Sequence, residues 1–233
     1  MNILVFCAHA DDEVIGMGGT LRKLADAGAR IRLVMFSEGA EGYSRAEDRK
    51  SIVKTRQKET KAVCRILGIQ EYVNLHGLDW SLPVNNKTYR DVICHIRSFK
   101  PDAVFTHSMA DYSDHMAVSQ VSTEGWFHAA LPCAMGDDPV WKLVPLYEFE
   151  VIQPLARPSH VVDISDTFSF KKQAMEIYSS QTGIVGSVFQ LMEGRAMERG
   201  YSIGVQYGEA FVRSNYRPRA IRKVGTLLER DEI

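Results

Sequence analysis

The sequence predicts an α/β fold of the Rossmann-like kind, a mostly parallel β-sheet with helices on both faces. Three observations predict it. Strand and helix signals alternate through the first half of the 233 residues. The strand candidates are short, near-continuous apolar runs, as strands buried on both faces require. The connections carry helical patterns long enough for crossovers between parallel neighbours.

The elements follow in order. Ile3-Leu4-Val5-Phe6-Cys7 reads as a buried strand at the N-terminus. A glycine-rich entry at Gly16 opens a helix through Leu21-Arg22-Lys23-Leu24-Ala25 to Gly28. Ile31 to Phe36 is the second strand, and Ser37-Glu38-Gly39 begins the loop after it. Ala46 to Leu67 reads as one long polar helix stopped by Gly68, Tyr72 to Leu75 as a short strand, and Tyr89 to Phe99 as a helix. Pro101 precedes the strand Ala103-Val104-Phe105, which leads to Thr106-His107 and a loop containing Asp111-Tyr112-Ser113-Asp114-His115. Ala117 to Leu131 is a helix candidate. The second half is less regular: strands near 144–150 and 160–164, helices from Phe170 to Ser180 and from Val188 to Arg199. No repeat, low-complexity linker or boundary appears, so residues 1–233 are expected to form one domain.

Composition excludes several classes. Hydrophobic residues make up 45% and charged residues 24%, ordinary for a globular protein. A net charge of −1 gives no nucleic-acid signal. No apolar run is long enough to span a membrane, and the N-terminus enters a strand with no signal-peptide pattern. Cys7, Cys64, Cys94 and Cys133 are scattered without a Cys-x-x-Cys pair. Buried free thiols and a cytoplasmic location are expected. Monomer and homo-oligomer both stay open.

The chemistry concentrates at two strand ends. His9-Ala10-Asp11-Asp12-Glu13 follows the first strand, and His107 and Asp114-His115 follow the fourth. Ligands bind at the carboxyl ends of strands in such sheets. A buried acidic cluster needs positive charge among it, which a divalent metal provides. His9, Asp12 and His115 would give two imidazoles and a carboxylate with a position left for water, the pattern of catalytic zinc. Asp11 would then be free to take a proton from that water. Asp11, Asp12 and Glu13 could instead be a solvated turn capping a helix.

At these residues the chain resembles the LmbE-like, PIG-L-type zinc-dependent N-deacetylases. The stretch from His9 to Glu13 is similar to that family's His-Pro-Asp-Asp-Glu signature, with Ala10 for proline, and Asp114-His115 to its second motif. The resemblance implies Zn2+ held by His9, Asp12 and His115, with Asp11 as general base. It implies removal of an N-acetyl group from an N-acetylated amino sugar or glycoconjugate, releasing acetate. Many members carry a histidine two residues before the Asp-His pair, where this chain has Tyr112. Tyr112 and His107 are therefore the candidates for stabilising the oxyanion, with Asp114 orienting a neighbour. The family's arginine–glutamate spacing on the long helix gives Arg56 a substrate role, and Glu38 is placed on the rim. Hydrolysis of another amide or ester, and catalytically silent sugar binding, are the alternatives. Gly16-Met17-Gly18-Gly19 lacks a dinucleotide fingerprint and a Walker lysine, so close helix–sheet packing is its expected role.

Overall fold

The computed structural model describes residues 1–132, 139–184 and 186–217. Chain order runs β1 (Asn2–Cys7), α1 (Asp12–Asp26), β2 (Arg30–Ser37), a 3₁₀ turn at Ala46–Lys50, α2 (Ile52–Leu67), β3 (Glu71–Gly77), α3 (Asn86–Phe99), β4 (Ala103–His107), α4 (Ser113–His128), β5 (Leu146–Phe149), β6 (His160–Asp163), α5 (Phe168–Ile177), α6 (Ser179–Thr182), α7 (Val188–Tyr201) and β7 (Gly208–Arg213). The seven strands form one sheet in the order β3-β2-β1-β4-β5-β7-β6. The first five are parallel to one another, and β7 runs antiparallel to both β5 and β6. The fold is the expected mostly parallel α/β sheet.

Alternation along β1 explains its continuous apolar run. Ile3, Val5 and Cys7 enter a core with residues from α1, α2 and α5, while Leu4, Phe6 and Ala8 enter a second core with α3 and α4. A strand covered on both faces has no polar side. Successive β1 and β2 side chains thus weld both layers, and the chain order reverses direction across the sheet between β1 and β4. That switch point is where a crevice opens.

Helix α1 is broken. Met17 has φ −151° and ψ 23°, outside helical geometry. A buried ion pair splints the break. Lys171 Nζ donates to the Ile15 carbonyl at 2.8 Å and to Glu209 Oε1 at 2.6 Å. Glu209 in turn accepts from the Gly19 and Thr20 amides at 3.0 and 2.7 Å. The glycine run permits this closeness: a Cβ on Gly16 would lie 2.5 Å from the Phe149 ring, and one on Gly19 2.7 Å from Ile164. Packing, as expected, accounts for these glycines.

Several boundaries differ from the sequence expectation. The long polar helix from Ala46 is interrupted at Ser51, where the 3₁₀ turn ends and α2 begins. The segment Phe170 to Ser180 is likewise split, because α5 ends at Ile177 and α6 starts at Ser179. Helix α4 begins at Ser113 rather than Ala117, which moves Asp114 and His115 from a loop into a first helical turn. Strand β7 carried no strand signal, since it opens on Gly208-Glu209 and buries that glutamate against Lys171. Cys7 and Cys64 are buried free thiols, but Cys94 is exposed, and Cys133 lies outside the described residues.

Candidate active site

The site is built where β1 and β4 end. Asp11 turns the chain from β1 into α1 with φ 110°, a left-handed backbone that aspartate tolerates better than most side chains. Its carbonyl accepts the Val14 and Ile15 amides at 2.9 Å. The Asp12 carboxylate swings back to accept the His9 amide at 2.7 Å. This tight turn brings His9 and Asp12 to one side.

Asp12 lies among three imidazoles. His115 Nε2 is 3.2 Å from Asp12 Oδ1, His107 Nε2 is 3.2 Å from Oδ2, and His9 Nδ1 is 3.7 Å from Oδ2. His9, Asp12 and His115 each offer a ligand atom, all within 4.8 Å of one another. Neither ring nitrogen of buried His115 has a hydrogen-bond partner. Its Nδ1 lies 3.4 Å from Asp111 Oδ2, four residues earlier in the loop before α4. Convergent imidazole and carboxylate donors with an orphaned buried nitrogen fit a divalent cation, and a carboxylate behind a histidine is a common way to orient such a ligand.

The electrostatics follow from burial. Burial alone would raise Asp12, but His115 and His107 hold it well below the usual carboxylate range. His115 runs against its own burial and is pushed up to about 10 by Asp12 and Asp111. His107 is fully buried and pushed down to about 4, by burial and then by His115. Asp11 rises to about 7 through burial and the Asp12 charge, with Arg56 opposing. Glu13 also rises to about 7 by burial, although the Tyr178 hydroxyl donates to it at 2.6 Å. It faces inward beneath the turn and donates nothing to the cavity.

A cavity of about 200 Å³ opens over this cluster. His9, Asp11, Asp12, Arg56, Tyr112, Asp114 and His115 all line it. The Tyr112 hydroxyl sits 3.1 Å from His9 Nδ1. Arg56 is buried, donates Nη2 to the Ala10 carbonyl at 2.7 Å, and packs where a side chain at Gly42 would collide with it. Asp114 Oδ2 is 3.1 Å from His9 Nε2 and accepts the Trp80 amide at 2.8 Å.

Two candidates fall elsewhere. His107 is 0% exposed and does not line the cavity. It sits behind Asp12, where its Nε2 also accepts the Ala8 amide at 2.9 Å. That placement corrects the expectation of an oxyanion donor, because a group behind the carboxylate does not reach a substrate in front of it. Glu38 is also off the cavity lining; its carboxylate lies 3.8 Å from His76 Nδ1. The rim position expected for it is taken by Glu41 and by Asp79, which accepts from the Ser37 hydroxyl and from the Glu41 amide.

Sequence reasoning missed Asp79 and Trp80 after β3, Val151 and Ile152 after β5, and Ile184 after α6, all of which line the cavity. A signal existed for the first two: they follow a strand end on the crevice side. It also missed Asp111, which holds the post-β5 loop by accepting the Ile152 amide at 3.1 Å.

Residues 4–125 match the profile of the family described as PIG-L, GlcNAc-PI de-N-acetylase. The chain belongs to the PIG-L family. Among PIG-L-like relatives, it is 27% identical over 189 residues to a diacetylchitobiose deacetylase of Thermococcus kodakarensis, covering 77% of this chain and 69% of that one. It is 28% identical over 193 residues to a 4-oxalmesaconate hydratase of Pseudomonas putida, covering 76% and 73%. Among solved structures, N,N'-diacetylchitobiose deacetylase from Pyrococcus horikoshii, complexed with its inhibitor MPG, superposes with a TM-score of 0.84 at 26% identity. The match covers 95% of this chain and 87% of that one.

Proposed function

We propose that this chain is a zinc-dependent hydrolase that removes the N-acetyl group from an N-acetylated amino sugar or its conjugate, releasing acetate. One observation carries the reading: a His9, Asp12 and His115 donor cluster beside a buried Asp11 carboxylate, at the floor of a cavity. Family membership and similarity to a deacetylase support it.

His9, Asp12 and His115 would hold the metal. A zinc ion there supplies Lewis acidity toward an acyl oxygen and lowers the pKa of a water molecule. Asp11, buried beside Asp12 and lining the cavity, would accept a proton from the attacking water as general base. It can return the proton to the departing amine. The Tyr112 hydroxyl lines the same cavity and donates toward the acyl oxygen as negative charge grows there. His107 and Asp111 act as positioning residues, one behind Asp12 and the other behind His115. Asp114 positions His9 and the Trp80 loop. Arg56 binds substrate from a fixed, buried stance.

Charge distribution argues for a neutral substrate. Among the described residues, Arg56 is the one lysine or arginine lining the cavity, against five carboxylates, Asp11, Asp12, Glu41, Asp79 and Asp114. A polyanion would meet repulsion from Glu41, Asp79 and Asp114, the lining carboxylates that neither hold the metal nor act as base. An uncharged N-acetyl sugar would not. The buried free thiols Cys7 and Cys64 suit a reducing compartment, and we place the enzyme in the cytoplasm. No described helix is long and apolar enough to cross a membrane.

The test is incubation of zinc-loaded protein with a panel of N-acetylated amino-sugar glycosides, assaying acetate and free amine. Equal release of both is expected. A folded, zinc-replete protein that releases neither, but hydrates 4-oxalmesaconate, would replace this reading with that of the hydratase relative.

A further inference from the structure

The cavity has a polar floor, and four apolar or aromatic side chains reach its mouth beside Glu41. Trp80, Tyr112, Ile152 and Ile184 line it and remain 73%, 38%, 40% and 44% exposed. A tryptophan so exposed is costly to keep at a mouth unless something covers it. Its backbone is also unusual. Trp80 has φ 66°, a left-handed conformation that bulky side chains rarely adopt and that concentrates at ligand clamps. The conformation is held in place, not left to chance. Asp114, itself 2% exposed and 3.1 Å from His9 Nε2, accepts the Trp80 amide at 2.8 Å. One buried carboxylate thus ties the indole at the rim to a histidine of the floor. The Trp80 and Tyr112 rings stand 6.4 Å apart at 43°, making two sides of an open aromatic corner.

We propose that Trp80 and Ile152 form a subsite for an apolar aglycone, aryl or alkyl, carried by the amino sugar whose acetamide lies on the floor. The inference rests on the deacetylase reading for what occupies the floor. The aglycone class follows from the wall. A second pyranose presents hydroxyls that need partners; Ile152 and Ile184 have none to offer, and Asp79 already accepts from the Ser37 hydroxyl and the Glu41 amide, which leaves the Glu41 carboxylate as the rim's acceptor. An aryl or alkyl group gains by covering them and by stacking on the indole. The acidic floor and the Trp80–Ile152 wall therefore select opposite ends of one neutral molecule.

The test compares wild type, Trp80→Ala and Trp80→Phe on three substrates: the methyl and phenyl β-glycosides of N-acetylglucosamine, and N,N'-diacetylchitobiose. Both variants retain the backbone amide that Asp114 accepts, so the loop keeps its anchor. Wild type is expected to favour the phenyl over the methyl glycoside in kcat/KM by about ten-fold, mainly through KM. Trp80→Ala should bring that ratio close to one, and Trp80→Phe should keep most of it. A wild-type ratio near one, or a ratio that survives Trp80→Ala, overturns the subsite. A Trp80-dependent preference for the disaccharide over the phenyl glycoside also overturns it, assigning the wall to a second sugar. Absence of acetate from every substrate strikes at the deacetylase reading instead. The subsite then stands or falls on titration with phenyl and methyl β-glucopyranoside, which carry no acetamide: a blue shift of tryptophan emission with the phenyl compound alone, lost in Trp80→Ala, supports it, and identical responses reject it.

Discussion

His115 Nε2 lies 3.2 Å from Asp12 Oδ1, although the two residues open different helices after different strands. Parallel pairing of β1 with β4 brings those strand ends side by side, and the first turns of α1 and α4 complete the meeting. The pair is at once a candidate ligand set and the main reason that His115 holds a proton in the metal-free protein.

Metal binding should therefore release that proton. With His115 pushed up to about 10, the site is protonated at neutral pH, and a cation must displace the proton to reach the ring nitrogen. Zinc affinity is expected to fall about ten-fold for each pH unit lowered between pH 8 and 6. Calorimetric titration in buffers of different ionisation enthalpy measures the released proton directly. A pH-independent affinity without proton release would exclude His115 as a ligand.

Replacing His9, Asp12 or His115 with alanine should sharply lower zinc content from about one ion per chain. His107→Gln should act through the same carboxylate, because His107 lies 3.2 Å from Asp12 and has no face on the cavity. We expect a roughly ten- to hundredfold loss of zinc affinity, the usual scale for a supporting residue behind a ligand. Restored wild-type turnover at saturating zinc would agree with that role. A persistent rate defect at full occupancy would return His107 to the chemistry.

Asp11→Asn separates rate from stability. Removing the base should lower turnover by roughly two to four orders of magnitude while zinc is retained. The same change should stabilise the metal-free fold at high pH. Because the folded value is raised to about 7, the native state binds more protons than the unfolded chain between the ordinary aspartate range and pH 7. The charge on Asp11 thus destabilises the fold fully above about 7, and this cost fades as pH falls toward 4. Metal-free Asp11→Asn should melt about 3–6 °C higher than wild type at pH 8, with little difference at pH 4.5. Equal melting at both values would remove the buried-charge argument.

Much of this was legible in the sequence, for reasons that particular residues illustrate. Ile3 to Cys7 announces a two-sided strand because both its faces are covered, and the His9 to Glu13 cluster announces chemistry because buried carboxylates need a counter-charge. The broken α1 was not legible. The groups that satisfy the backbone around the break are Lys171 and Glu209, residues brought to Ile15 and Gly19 by tertiary folding. Trp80 and Asp79 were missed because the apolar pattern of β3 stops at Leu75 while the strand runs on to Gly77, so the start of its crevice-side loop carries no signal. His107 was named as an oxyanion-donor candidate beside Tyr112, since sequence spacing locates a strand end but not the face toward which its last side chain points; the structure puts it behind Asp12, off the cavity lining.

The α1 splint gives a prediction of its own. Lys171→Met leaves the Glu209 carboxylate buried without its cation and should destabilise the protein by about 3–5 kcal/mol, read by urea unfolding. The double variant Lys171→Met with Glu209→Gln should recover part of that loss, since no unpaired charge is then left inside. A single variant within 1 kcal/mol of wild type, on the scale of an exposed pair, would show that the splint is dispensable.

The most direct test of the central claim is the stoichiometry of acetate to free amine from an N-acetylglucosaminide, for wild type and Asp11→Asn at equal, measured zinc content. The account predicts one acetate per amine in wild type, and a rate at least about a hundredfold lower in Asp11→Asn. Amine release at wild-type rate from zinc-replete Asp11→Asn, or no acetate from zinc-replete wild type, would contradict it.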